Sequence, residues 1–233
     1  MNVVSFSLWG SEPKYVIGAL RNAELLPAVY PGWQGRFYCG SSVPDAALSE
    51  LAAMPQVEVV RMDAAGDWRA MFWRFYPASE PDVAVMLSRD TDSRLNRRER
   101  AAVDEWLASD RDFHVMRDHP WHSAPILGGM WGVRNRLLAD MRQLIGAYVA
   151  GDFWQVDQQF LAAVVVPRVR ERWLEHDEYF SGRPFPTRRR GREYVGQPFD
   201  ENDRPLLSGP TALERRLRRL ARAVRDTVRA HAN

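Results

Sequence analysis

Short apolar runs alternate with longer amphipathic stretches through the first hundred residues. Residues 3–8, 35–39, 57–62 and 83–87 are rich in β-branched and aromatic side chains and are bounded by Gly, Pro, Ser or Asp, so they read as strands. Residues 15–29, 45–54 and 68–76 between them read as helices, which gives a β-α-β-α-β-α-β order. Strands that are apolar at nearly every position are covered on both faces. The pattern therefore predicts an α/β, Rossmann-like chain with a mostly parallel central sheet flanked by helices. Further on, residues 97–107 predict a helix, 113–116 a strand, 125–132 a glycine-rich strand, and 153–166 a helix stopped by Pro167. Residues 176–205 are rich in Pro, Gly and Arg and predict an irregular segment wrapped over the domain.

At the end of the chain, Leu213, Leu217, Leu220, Val224 and Val228 recur at helical spacing opposite Arg215, Arg218, Arg219, Arg222, Arg225 and Arg229. That is a basic amphipathic helix over 211–232, suited to docking on the domain, on a second copy, or on an anionic membrane surface. The chain thus divides into a domain over 1–205 and a basic helical tail over 206–233.

Asp90-Thr91-Asp92 follows the fourth predicted strand and is the sharpest chemical signal. Two carboxylates one residue apart at a strand end suit a hard divalent ion. Mg²⁺ and Mn²⁺ take a few carboxylates and complete their shell with water and phosphate oxygens, so the pair points to a phosphorylated ligand. In open α/β sheets ligands bind beyond the carboxyl ends of the strands, where this pair lies.

Composition narrows the classes. With 233 residues, 45% of them hydrophobic, the chain can build a sizeable core without staples. Its single cysteine, Cys39, excludes an internal disulfide and a cysteine-based zinc cluster, and no apolar run reaches the about 18 residues of a membrane span. The first residues read as a strand and not as an export signal, so a cytoplasmic chain is expected, with the basic tail able to hold it against the inner face of the membrane. Net charge is only +2, and Lys14 is the sole lysine among many arginines, which crowd toward the C-terminus. No nucleic-acid reading module accompanies them, and arginine equally suits bidentate contact with phosphate.

Several residues stand out around the acidic pair. Arg74 sits in an aromatic-rich helix and needs an anionic partner, either a ligand diphosphate or a structural carboxylate such as Asp63 or Asp82; Arg69 lies five residues earlier. Arg89 adjoins the pair and is placed to neutralise it or to touch phosphate. Gly128 and Gly129 would let backbone approach a ligand or a neighbouring strand. His114, His119 and His122 have no common zinc spacing. The Arg188-Arg189-Arg190-Gly191-Arg192 run reads as a solvated loop or as a clamp on an anion.

Ser88-Arg89-Asp90-Thr91-Asp92-Ser93-Arg94, Gly128-Gly129-Met130-Trp131-Gly132 and Val156-Asp157-Gln158-Gln159-Phe160-Leu161, in that order after the sheet, resemble the GT-A-fold glycosyltransferases over about residues 3–205. The likeness is greatest to bacterial glycosyltransferase-like proteins. The resemblance implies transfer of a sugar from a nucleoside diphosphate sugar to an acceptor, with Mn²⁺ or Mg²⁺ between the acidic pair and the diphosphate. It implies Asp90 and Asp92 as metal ligands with His176 as a third, and Leu8 and Trp9 at the nucleoside. It places Asp157 and Gln158 near the reacting sugar, Asp157 as the general base if the reaction inverts or as an orienting group if it retains, with Asp118 a second candidate for sugar hydroxyls and Trp131 toward the acceptor.

Three alternatives compete. Haloacid-dehalogenase-type phosphatases also use D-x-D, but after the first strand, whereas three strands precede it here. A non-catalytic domain that binds a nucleotide sugar or a partner would keep the fold without the reaction. Sugar nucleotidyltransferases share the sheet but open with a glycine-rich loop where this chain has Ser7-Leu8-Trp9-Gly10.

Overall fold

The computed structural model describes residues 1–149, 151–180, 183–211 and 213–214. The basic amphipathic helix expected over 211–232 lies almost wholly outside these residues. The first half follows the expected order: β1 (Asn2–Leu8), α1 (Pro13–Val29), β2 (Gln34–Cys39), α2 (Asp45–Ala53), β3 (Val57–Arg61), a 3₁₀ segment (Trp68–Ser79) and β4 (Val85–Ser88). Then come α3 (Arg97–Leu107), β5 (Phe113–Arg117), β6 (Trp131–Arg134), α4 (Met141–Ala147), α5 (Val156–Phe160) and β7 (Trp173–Asp177). The seven strands form one sheet in the order β3-β2-β1-β4-β6-β5-β7. All neighbours are parallel except β6, which runs antiparallel to both β4 and β5.

Side-chain alternation along each strand feeds two cores. Val4, Phe6 and Leu8 of β1 and Val85 and Leu87 of β4 pack under α1, α2 and α3. Val3 of β1 and Met86 of β4 face the other way, onto the 3₁₀ segment and α5, with Phe72, Phe75, Trp131 and Phe160. Every strand of the central four is therefore buried on both sides, which is why the sequence shows runs and not alternation.

Three expectations are corrected. Residues 125–130 turn instead of extending, and the strand begins at Trp131. Pro167 does not end the helix: Leu161–Val165 opens into a π-helical turn, and the helix resumes over Val166–Val169 with Pro167 in its first turn, where its missing N–H is tolerated. His176 is not in irregular chain but in β7, paired in parallel with β5.

Candidate active site

Residues 90–95 leave β4 in a loop whose shape is set by α1. Asn22 donates from Nδ2 to the carbonyls of Thr91 (3.1 Å) and Ser93 (2.8 Å) and accepts the N–H of Leu95 at Oδ1 (3.0 Å). Gly18, one turn earlier, has no Cβ because the Thr91 carbonyl occupies that space. From the other side the N–H of Phe199 donates to the Asp92 carbonyl at 2.9 Å, so the wrapped segment pins the loop as well. Asp90 and Asp92 are thus held by backbone contacts and not by one another.

The same alternation that builds the cores sorts the arginines. Arg89 follows Leu87 onto the α3 face, fully buried, with Nε on Glu99 at 3.0 Å and Nη1 on the carbonyls of Ser88 (2.7 Å) and Trp131 (3.1 Å). It does not line the cavity and does not pair with Asp90 or Asp92. Asp90 points to the opposite face, where Arg74 donates from Nη1 to Asp90 Oδ1 (2.6 Å) and from Nη2 to Asp157 Oδ2 (2.7 Å). The partners of Arg74 are these two carboxylates and not Asp63 or Asp82. Its position is fixed by its own N–H, which donates to Ser7 Oγ at 3.0 Å.

Gly128 and Gly129 close this arrangement. A Cβ on Gly128 would overlap Asp157 Oδ2 and stand 2.5 Å from Arg74 Nη2; one on Gly129 would overlap Asp90 Oδ2 and stand 2.8 Å from the Asp90 nitrogen. The glycines let backbone lie directly on the two carboxylates. Ser88 Oγ donates to the Gly128 carbonyl at 2.6 Å and holds that backbone in place.

Arg74, Asp90, Asp157 and Gly128 line a cavity of about 500 Å³ together with Leu8, Trp9, Asp92 and Gln158, while Gly129 lies behind Asp90 and not on its wall. Burial and the neighbouring Asp90 push the Asp92 carboxyl up to about 6. Burial also raises Asp157, against the lowering effect of Arg74. The Gln158 N–H donates to Asp157 Oδ1 at 2.8 Å, so each Asp157 oxygen already accepts one hydrogen bond and keeps a lone pair for a ligand. Two carboxylates at a cavity wall, one of them short of positive charge, fit a hard divalent ion whose other ligands are water and phosphate. Among the described residues no group of three or more His, Cys, Asp or Glu side chains could hold a metal by itself.

Other predicted residues lie elsewhere. His176 is fully buried on the α3 side of β7, its Nδ1 2.8 Å from His114 Nε2 and its Nε2 3.5 Å from Glu105. Both rings are pushed toward the neutral form by burial, and His176 does not line the cavity. Asp118, also fully buried, accepts two hydrogen bonds from Arg98 and one from the Val195 N–H at 3.0 Å, and pairs with Arg189. It anchors the wrapped segment and does not line the cavity either. Arg69 is exposed and bound to Asp67 at its own helix start. Trp131 is buried between Phe113 and Phe75 and cannot face an acceptor. Of the arginine run, Arg189 is drawn in onto Asp118 while Arg188, Arg190 and Arg192 stay exposed.

Sequence reasoning missed Ser7, Tyr15, Trp68, His122 and Trp154, all on the cavity wall. Trp154 and Gln155 fall inside the helix expected over 153–166, but the helix starts only at Val156, which leaves both in the turn that faces the cavity. Gln155 takes φ +71, a left-handed conformation that turns the chain sharply into α5. His122 had no signal beyond its nearness to β5.

No model of a known protein family matches the chain, and no curated protein matches it. Solved structures do share its fold. A glycosyltransferase involved in the glycosylation of the major capsid of PBCV-1 superposes with a TM-score of 0.51 at 16% identity, covering 77% of this chain and 84% of that one. Mannosyltransferase PcManGT from Pyrobaculum calidifontis, in complex with GDP-Man and Mn²⁺, gives 0.51 at 13% identity over 75% of this chain, which spans about half (54%) of it. A cytidylyltransferase from Leptospira borgpetersenii gives 0.50 at 12% identity, over 84% and 80% of the two chains. Identities this low establish the architecture alone: a mixed seven-stranded sheet flanked by helices, in the GT-A-like arrangement.

Proposed function

We propose that the chain is a divalent-cation-dependent glycosyltransferase that moves a sugar from a nucleoside diphosphate sugar to an acceptor. The observation that carries this reading is one cavity lined by Asp90, Asp92, Arg74 and Asp157, with Gly128 backbone lying against the last two. Asp90 and Asp92 would hold Mn²⁺ or Mg²⁺, which supplies positive charge to a diphosphate that becomes more negative as the glycosidic bond breaks. Arg74 already sits between carboxylates at the cavity wall and adds fixed positive potential on the same side. Leu8 and Trp9 offer an apolar floor and a ring for the base, with the Trp68 ring edge-on to Trp9 at 6.3 Å.

Asp157, at 2% side-chain exposure and with a raised pKa, is the candidate to orient the reacting hydroxyl or accept its proton. Gln158 is the candidate for hydrogen bonds to the sugar. The basic tail over 206–233 is proposed as an attachment or self-association segment beyond the domain over 1–205. Among the described residues no helix is long and apolar enough to cross a membrane.

A second reading, nucleotidyl transfer, is favoured by the fold shared with a cytidylyltransferase. Against it, β1 runs into Leu8-Trp9-Gly10 with no glycine-rich phosphate loop. The phosphatase alternative has no support in the structure, where the acidic pair follows β4 and Asp90 is already engaged by Arg74.

Incubation with a panel of nucleoside diphosphate sugars and Mn²⁺ separates these readings. The transferase releases nucleoside diphosphate, faster with a sugar acceptor, and Asp92→Asn abolishes release. Pyrophosphate from nucleoside triphosphates, or phosphate from phosphomonoesters, without that release would overturn the proposal.

A further inference from the structure

One end of the cavity is not explained by the acidic pair. The central strands lie in the order β1, β4, β6, β5, and the cavity walls follow it. Leu8 and Trp9 end β1, Asp90 and Asp92 follow β4, Gly128 and Met130 precede β6, and His122 lies beyond β5. His122 is therefore across the acidic pair from Trp9. A ligand whose base reaches Trp9 and whose phosphates meet Asp90 and Asp92 presents its transferred group at the His122 end.

The His122 ring is held in one state. Its Nδ1 accepts the backbone N–H of Asp118 at 3.1 Å, and it packs against the rings of His119 and Tyr194, each with centroids 5.7 Å away. A neutral imidazole that accepts at Nδ1 carries its proton on Nε2. Withdrawal from water, with His119 and Arg189 nearby, pushes its pKa down to about 3, so the ring stays neutral. The backbone that orients it is rigid as well, because the Asp118 carboxylate is clamped by Arg98 and Arg189. Nε2–H is the polar atom left for a ligand, and it can only donate.

We propose that His122 is a specificity-determining residue that donates Nε2–H to a hydroxyl oxygen of the sugar carried by the donor. This rests on the nucleoside diphosphate sugar reading above. It also separates two roles on the cavity wall: Asp157 accepts, and His122 donates. A sugar that lacks the matching hydroxyl leaves the donor N–H facing an apolar group and is discriminated against.

The test compares wild type with His122→Asn, His122→Gln and His122→Phe by calorimetry in Mn²⁺, using UDP, GDP, UDP-glucose, UDP-galactose and GDP-mannose. Asn can keep the acceptor for the Asp118 N–H but its side chain is too short to reach the Nε2 position, whereas the Gln amide reaches it. Binding of the free nucleoside diphosphate is expected to stay within about twofold in all variants. The preferred sugar nucleotide is expected to bind about tenfold more weakly to His122→Asn and His122→Phe, and to recover to within about threefold in His122→Gln. Equal losses for nucleotide and sugar nucleotide, or no loss in either, overturn the assignment while leaving the transferase reading intact. A folded wild type that binds no nucleoside diphosphate at all overturns the transferase reading, and this assignment falls with it.

Discussion

Replacing Arg74 by methionine removes the cation that sits between Asp90 and Asp157 and leaves the two carboxylates in unequal positions. The Asp90 side chain is 41% exposed and can be solvated from the cavity; Asp157 is 2% exposed and cannot. The loss therefore falls on Asp157. Breaking a buried pair by removing one partner typically destabilises by about 3–5 kcal/mol. Unit charges about 4 Å apart at an effective dielectric of about 20 interact by roughly 4 kcal/mol, which agrees. A loss of that size lowers the melting temperature by roughly 10 °C in a chain of this length.

The sign of the pH dependence follows from the same group. Burial already raises the Asp157 pKa, and Arg74 is what lowers it, so the variant raises it further. A carboxyl whose folded pKa lies above its unfolded value weakens the fold as pH rises through that window. The deficit of Arg74→Met should thus be larger at pH 8 than at pH 5. Urea unfolding followed by circular dichroism at both pH values, on Arg74→Met, Asp157→Asn and the double variant, measures it. The double variant should recover most of the loss, because it leaves no charge stranded. A single-variant loss below about 1 kcal/mol, or a double variant whose losses simply add, would refute the assignment of this pair as the buried support of the cavity.

Further perturbations act on neighbouring parts. Asp92→Asn should stabilise the metal-free protein at pH 7.5 by about 2–3 kcal/mol, from a pKa raised to about 6. The wild type loses that stability as pH rises from about 4 through 6; equal urea midpoints for variant and wild type at pH 7.5 would contradict it. Mn²⁺ should restore the wild type and not the variant. Gly129→Ala places a Cβ against Asp90 and should destabilise by about 1–3 kcal/mol and weaken Mn²⁺ binding, read by paramagnetic broadening; unchanged broadening would count against the cradle. Asn22→Ala leaves the buried Leu95 N–H unpaired and should destabilise by about 1–3 kcal/mol. Hydrogen exchange over residues 91–95 should quicken, and protection equal to wild type would show that α1 does not hold this loop.

The chain announces its sheet and its acidic pair because both depend on local pattern. Residues 3–8 are buried throughout, with only Ser5 and Ser7 polar, and 83–87 are all apolar, since α1 and the 3₁₀ segment cover opposite faces of β1 and β4; the acidic pair follows where the chain leaves β4 for the cavity. What local pattern hides is which way a side chain faces across distance. Arg89 and Arg74 look alike in sequence, yet Arg89, just past β4, turns to Glu99, while Arg74, 15 residues earlier, meets Asp90. His176 looked like a metal ligand in a loop; pairing of β7 with β5 instead sets it against His114 inside the molecule. The edge strand itself, Trp173–Asp177, carries no period-two alternation of apolar and polar residues, and only its partner reveals it. His122 acquires its meaning from Asp118, whose clamping arginines come from α3 and from residue 189.

The central claim is that Asp90 and Asp92 grip a divalent ion for a diphosphate leaving group. Titration calorimetry of UDP and GDP into wild type and Asp92→Asn, each with Mn²⁺ and with EDTA, tests it most directly. The account predicts binding of at least one nucleotide to wild type in Mn²⁺, loss of at least tenfold in EDTA, and no metal dependence in the variant. Nucleotide affinity that is the same in Mn²⁺ and EDTA, or that survives Asp92→Asn with its metal dependence intact, contradicts it.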